Sequence, residues 1–342
     1  MNPEFAVELR KIDKVFHTRH FLTRDEDDNR RRIYHKKTVH AVDNVDLAVK
    51  PGEVFGLLGR NGAGKTTSVK MMSGLIKPDG GEVLVDGMEV EANRLKILRR
   101  VGVVLEGTRT CIWPLTPLEN LAYFGNLRDV RGDVLRERSR ELLKFIGLKD
   151  KMNVQVRRLS RGQKQKLAIC IALITDPHLI LLDEPTTGLD VQSSRSIKDK
   201  VTEMAQEQGK CAVVTTHDMS VAQELCTRIA IIDGGKLVAC KPTEDLLDVF
   251  SAQRYEFRLD RVPDIAPLES MPGVDKVETL DAQEEPGLLI TYPADQELRS
   301  SALYKTVHYL SENGLVLRSV TQQQQTLENV FLKITNDAKA SN

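Results

Sequence analysis

The sequence predicts an α/β fold in which a mainly parallel β-sheet is covered by helices on both faces, followed by a smaller α+β domain. Three observations carry this prediction. Between residues 7 and 247, short apolar runs of strand length alternate with segments of helical periodicity. That alternation is the pattern of parallel strands joined by helical crossovers. Between residues 108 and 158 the strand signal disappears and helical spacing takes over, so a mostly helical insertion is expected there. Beyond about residue 250 the segments run strand, helix, strand, strand, helix, strand, the order of a ferredoxin-like unit.

From the N-terminus, residues 23–37 (TRDEDDNRRRIYHKK) are almost wholly charged, acidic first and basic after, and interrupt a short hairpin between Phe16 and Val39. This composition suits a solvated, mobile loop, or a basic patch (Arg30, Arg31, Arg32, Lys36, Lys37) turned towards a partner or lipid. Val54–Leu58 reads as a buried strand and residues 65–73 as a helix, then 118–127 and 133–146 as the helices of the insertion. Leu179–Asp183 is a second buried strand, 193–206 a helix and 212–216 a third strand. Residues 254–260 alternate, with Tyr255, Phe257 and Leu259 on one face, and 265–271 form a short helix. Strands at 274–280 and 288–292, a helix at 296–311 and a strand at 315–320 complete the unit. A last helix at 326–334 places Leu327, Val330, Phe331 and Ile334 on one stripe, to pack on its own domain or against a partner. The expected domains are 1–248 and 249–342, with the helical insertion at about 108–158.

The 342 residues carry 49 basic and 49 acidic side chains, a net charge of zero. A protein built to coat nucleic acid needs a dominant basic field, so no nucleic-acid partner is expected. The five cysteines are odd in number and form no CxxC pair, the usage of reduced, buried thiols in a cytosolic protein. No run approaches the ~20 apolar residues that cross a bilayer. The first ten residues include Glu4 and Glu8 and lack the apolar centre of a secretory signal. The chain is therefore expected in the cytoplasm, with any membrane role reached through a partner.

Three segments carry chemistry. Gly59-Arg60-Asn61-Gly62-Ala63-Gly64-Lys65-Thr66, followed by Thr67, stands between the strand Val54–Leu58 and a helix. Glycines there let backbone N–H groups close on phosphate oxygens, Lys65 supplies a point charge, and the Thr66 hydroxyl suits Mg²⁺. Leu179–Asp183 ends in a carboxylate followed by Glu184 and Pro185. At the carboxyl end of a parallel strand, Asp183 would help hold Mg²⁺ and Glu184 would orient or deprotonate an attacking water. Leu159-Ser160-Arg161-Gly162-Gln163 opens a helix about 20 residues ahead of that pair.

At this third segment the chain resembles the ATP-binding cassette (ABC) ATPases, whose L-S-G-G-Q signature opens a helix facing the γ-phosphate held by the opposite subunit. Arg161 stands where that family most often has glycine, while Ser160, Gly162 and Gln163 keep the pattern. Gly188-Leu189-Asp190 matches the family's D-loop, and His217, 33 residues beyond Glu184, matches its switch histidine. The resemblance covers roughly residues 5–245. It implies a P-loop NTPase with a RecA-like core, a helical subdomain and an antiparallel β subdomain. It further implies ATP and Mg²⁺ as ligands, with Glu184, His217 and Lys65 in catalysis. Phe16 is the expected adenine-stacking aromatic, with Tyr34 competing. Residues 101–105 form a strand that should end in the family's Q-loop glutamine; Glu106 stands there instead, still a hard oxygen ligand for the metal. Just beyond it, Trp113 falls where the family's helical subdomain meets the transporter, as an anchor or as ordinary core.

The implied protein is an ATP-hydrolysing energy-coupling subunit peripheral on the cytoplasmic face of the membrane. Separate transmembrane permease subunits are its expected partners, reached through residues 106–117, and the cassettes pair as a homodimer or a heterodimer. The C-terminal Leu327-Glu328-Asn329-Val330-Phe331 resembles the ending found on ABC-2 type exporters. A soluble ABC-type ATPase switch without a membrane partner is the alternative.

Overall fold

The computed structural model describes residues 4–24, 31–107, 110–249, 253–280, 286–293 and 295–322, together with Leu327 and Phe331. Contacts divide the chain into two compact units, one of Met1–Thr243 with the chain end from Phe331, the other of Glu244–Val330. In chain order the first unit begins with β1 (Val7–Arg24), β2 (Arg31–Val49), β3 (Val54–Leu58), α1 (Lys65–Met72), β4 (Gly80–Val85), β5 (Met88–Glu89), α2 (Val90–Arg100) and β6 (Val101–Val104). It continues through α3 (Pro117–Leu127), α4 (Gly132–Phe145), α5 (Arg161–Leu173), β7 (Leu179–Asp183), α6 (Val191–Gln208), β8 (Cys211–Thr216), α7 (Met219–Leu225), β9 (Arg228–Asp233) and β10 (Lys236–Pro242).

Six of these strands form one sheet in the order β10-β9-β3-β8-β7-β6. The pairs from β9 to β6 are parallel, and only β10 runs antiparallel at the edge. Every residue of β3, β7 and β8 is buried, which explains their unbroken apolar runs: strands covered on both faces need no polar side. Register brings Leu58 beside Thr216, and Asp183 beside Thr215. The carboxyl ends of three central strands therefore open together, where ligands bind in such sheets.

A second, antiparallel sheet has the order β2-β1-β4-β5. Its Leu9, Ile12, Val45 and Val83 share one apolar cluster with Phe55, Leu57 and Leu181 of the parallel sheet and Met71 of α1. The sequence-based loop at 23–37 is corrected here. β1 reaches Arg24 and β2 starts at Arg31, in register from Phe16 opposite Val39 to Arg24 opposite Arg31. Charge reports contact with water and leaves the backbone ladder unaffected, so an antiparallel ribbon tolerates a composition that mimics a loop. Residues 25–30 lie outside the described part.

The insertion is helical as expected. Thr116 and Glu119 form a reciprocal capping box at the start of α3, with Pro117 in its first turn; such a cap stabilises a helix by about 1 kcal/mol. Fully buried Asn120 donates to Ile112 O and accepts from Ile112 N, which fixes the loop carrying Trp113. That indole is half exposed and carries the Lys164 ammonium 4.6 Å from its centroid.

All five cysteines are free thiols, four of them buried. Burial pushes Cys111 up to about 11 and Cys211 and Cys226 up to about 12, so these are inert packing groups. Among the described residues no helix is long and apolar enough to cross a membrane.

α8 (Thr243–Val249) stands at the division between the units. The second unit then runs β11 (Gln253–Leu259), α9 (Ala266–Glu269), β12 (Lys276–Leu280), β13 (Gly287–Tyr292), α10 (Gln296–Glu312) and β14 (Leu317–Gln322). Its sheet has the order β12-β13-β11-β14, with every pair antiparallel. Phe257, Leu259, Leu268, Leu288, Ile290 and Leu310 form its core, into which Tyr292 donates a hydrogen bond to Thr306 Oγ1 at 2.8 Å. Leu327 and Phe331 are buried; the rest of the helix predicted at 326–334 lies outside the described residues.

Candidate functional site

The chain leaves β3 at Leu58 and turns through Gly59–Gly64 into α1. Gly62 and Gly64 have φ of 83° and 108°, the left-handed region that a side chain disfavours. A Cβ on Gly59 would lie 2.3 Å from the Ile232 carbonyl oxygen, and one on Gly64 2.2 Å from that of Ala41. Both positions therefore require glycine. Lys65 is buried, and its ammonium donates to Gly59 O at 2.7 Å and Arg60 O at 3.1 Å. It also lies 3.7 Å from Glu184 Oε1. Burial lowers its pKa, against the opposing pull of Glu184, Asp183 and Glu106.

The carboxylates at the end of β7 are held tightly. Asp183 Oδ1 accepts from Thr66 Oγ1 at 3.0 Å and from Thr215 Oγ1 at 2.5 Å. Asp183 Oδ2 is buried and has no hydrogen-bond partner among the described residues. A buried carboxylate oxygen left without a donor is costly unless a cation meets it, so Asp183 with the Thr66 hydroxyl fits a hard divalent ion. Glu184 adopts φ of 50°, a conformation that costs a non-glycine residue about 1 kcal/mol or more. It is held there by its N–H, which meets Thr215 O and Thr215 Oγ1, each at 3.1 Å. Thr187 Oγ1 donates to Glu184 Oε2 at 2.7 Å, and His217 Nδ1 lies 2.8 Å from Oε1. With a carboxylate as acceptor, Nδ1 carries the proton.

Asn61, Gly62, Ala63, Gly64, Lys65, Thr66, Thr67, Glu106, Glu184 and His217 line one hollow, which Ala41 and Thr187 complete. Gly59 and Arg60 border it through the carbonyls that receive Lys65. Ser160, Gly162, Gln163 and Asp190 do not line it. Ser160 and Gln163 instead close a capping box on α5, and Asp190 caps α6 through Ser193 N at 2.8 Å. A Cβ on Gly162 would meet Ser193 Oγ at 2.4 Å, so glycine lets the two helix starts approach. Phe16 is also absent from the lining; it pairs with Val39 on the hairpin, with Lys14 Nζ 5.6 Å from its ring. Tyr34 pairs with Phe21 in the backbone ladder, and its side chain lies outside the described part. Sequence reasoning missed Thr215 and Thr187, the two hydroxyls that orient the carboxylates. The signal in the sequence was the Thr215-Thr216 pair closing the strand expected at 212–216.

A glycine loop between strand and helix, a buried lysine, and paired carboxylates at the neighbouring strand end define a nucleoside triphosphatase of the phosphate-loop class. The family model described as ABC transporter matches residues 42–187. The chain is 33% identical to the Nod factor export ATP-binding protein I of Cupriavidus metallidurans, over 90% of this chain and 95% of that one. It therefore belongs to the ABC transporter family, as an ATP-binding, ATP-hydrolysing subunit. It is 36% identical to the methionine import ATP-binding protein MetN of Carboxydothermus hydrogenoformans, over 59% of this chain and 61% of that one. A dimeric, post-hydrolysis ATP-binding cassette bound to ADP and Pi superposes with a TM-score of 0.58 at 30% identity, covering 69% of this chain and 98% of that one.

Proposed function

We propose that this chain is the energy-coupling subunit of an ABC-2 type exporter, working as a homodimer or heterodimer of cassettes on separate transmembrane permease subunits. Its place would be the cytoplasmic face of the membrane. The observation that carries the direction is the reach of similarity. The match to an export protein spans 90% of the chain and so includes residues beyond 250, whereas the match to an import protein spans 59%. The antiparallel order β12-β13-β11-β14 supports reading residues 249–342 as a ferredoxin-like accessory domain beside a cassette at 1–248.

In this reading the backbone N–H groups of residues 59–64 and the start of α1, through Thr67, receive the phosphates, and Lys65 leaves its loop carbonyls for them. Thr66 and Asp183 would hold Mg²⁺, with Glu106 as a further oxygen ligand; the ion neutralises phosphate charge. Glu184 takes a proton from the attacking water as the water oxygen bonds to the γ-phosphorus and the bond to the ADP oxygen breaks. His217 Nδ1–H holds the carboxylate, and Nε2 would turn to the γ-phosphate, donating to it when both ring nitrogens carry a proton. Ser160, Gly162, Gln163 and Asp190 do not line their own hollow and would cover the nucleotide of a second cassette. Phe16 or Tyr34 would stack on adenine. No contact with nucleic acid is proposed.

Glu106 places a carboxylate where the family has an amide, so Glu106→Gln is expected to raise the Mg²⁺ concentration for half-maximal hydrolysis several-fold, a neutral amide being the weaker ligand of a hard cation. Identical Mg²⁺ titrations for the two proteins would remove Glu106 from the site. The functional reading itself is tested by capture from detergent-solubilised membranes of the source cell, using tagged Glu184→Gln protein loaded with ATP. Recovery of a multi-spanning membrane protein is the expected result. Recovery of soluble proteins alone would overturn the exporter and leave an ATP-driven soluble switch.

A further inference from the structure

Arg161 is the departure from the family signature that the function above does not use. Its guanidinium donates to Thr187 O at 3.1 Å, across 26 residues of chain. It lies flat against Gly188, where a Cβ would come within 2.4 Å of Nη1, 2.5 Å of Cζ and 2.7 Å of Nη2. Gly188 is in the left-handed region at φ of 69°, so both its conformation and its missing side chain make room for the arginine. An exposed arginine contact is ordinarily worth little, but this one is received by a turn of specific shape.

That turn belongs to Glu184. Thr187 N donates to Glu184 O at 3.3 Å, closing the turn, and Thr187 Oγ1 donates to the Glu184 carboxylate at 2.7 Å. Arg161 thus holds the residue that fixes one carboxylate oxygen, while His217 meets the other. The same first turn of α5 carries Gly162, two positions after the Ser160 cap.

We propose that Arg161 is a positioning residue for hydrolysis: it ties the start of α5 to the Thr187 turn that orients Glu184 in the same subunit. This rests on Glu184 being the general base and on Ser160 and Gly162 covering a second cassette's nucleotide. Engagement of that nucleotide by α5 would then be felt at the subunit's own Glu184 through one guanidinium. A glycine at position 161 cannot make this link.

The test is a double-mutant cycle on purified full-length protein, read as the single-turnover rate of ATP hydrolysis, with ATP affinity and ATP-driven dimerisation measured in a Glu184→Gln background. Arg161→Gly should lower the rate about tenfold, since small displacements of a catalytic group are costly, and leave affinity and dimerisation within about twofold. Arg161→Lys should recover most of the rate. In a Thr187→Val background, Arg161→Gly should cost less than about twofold further, because both changes break one route. A wild-type rate for Arg161→Gly overturns the proposal, as does an undiminished tenfold loss in the Thr187→Val background. Dimerisation that falls as far as hydrolysis also overturns it, making Arg161 an interface residue alone. Failure of the underlying reading is seen separately: Glu184→Gln would then hydrolyse ATP like wild type whatever stands at 161.

Discussion

Glu184→Gln is expected to lower ATP hydrolysis by about 10³-fold, the range seen when a general base is removed, while ATP binding stays within about threefold of wild type. The substitution keeps shape and volume in a residue that is 8% exposed. It removes the ability to take a proton. It also disturbs the pair of donors, Thr187 Oγ1 and His217 Nδ1, that the carboxylate now accepts, since an amide offers one oxygen where the carboxylate offered two. Phosphate release and equilibrium ATP binding measured on the same protein separate the two effects. A rate within tenfold of wild type would move the proton to another group, His217 being the nearest.

Lys65→Ala is expected to weaken ATP binding by about 100-fold, as the loss of a charge-assisted contact to phosphate in a desolvated site does. The loss is compounded because Glu184 then keeps its charge with no cation at 3.7 Å, and that charge repels the phosphates. Titration of a fluorescent ATP analogue measures it. Burial lowers the pKa of Lys65, whereas bound phosphate favours its charged form. ATP binding by the native protein therefore takes up a proton at alkaline pH and weakens as pH rises there, and Lys65→Ala should abolish that slope. An unchanged affinity would mean that the loop N–H groups alone bind the phosphates.

The elements most faithfully predicted were those whose residues answer to a local demand. Val54–Leu58 and Leu179–Asp183 are read as buried strands because a strand covered on both faces must be apolar throughout, and both are completely buried. Gly59, Gly62, Gly64 and Lys65 stand within seven positions because a turn that wraps phosphate demands positive φ and close backbone approach at fixed offsets. The charged segment misled because composition records solvation, whereas the hairpin there is held by the register of two backbones.

The α/β architecture, the helical insertion and the phosphate loop were thus legible from order and spacing alone, since each is a property of contiguous residues. The support beneath them was not. Thr215 reaches Asp183 from 32 positions away, and Arg161 reaches Thr187 from 26. Which hydroxyl meets which carboxylate depends on β7 and β8 lying side by side with Asp183 opposite Thr215. That register follows from packing the whole sheet between its helices, because strand pairing is set by long-range burial, and no short stretch of sequence carries it.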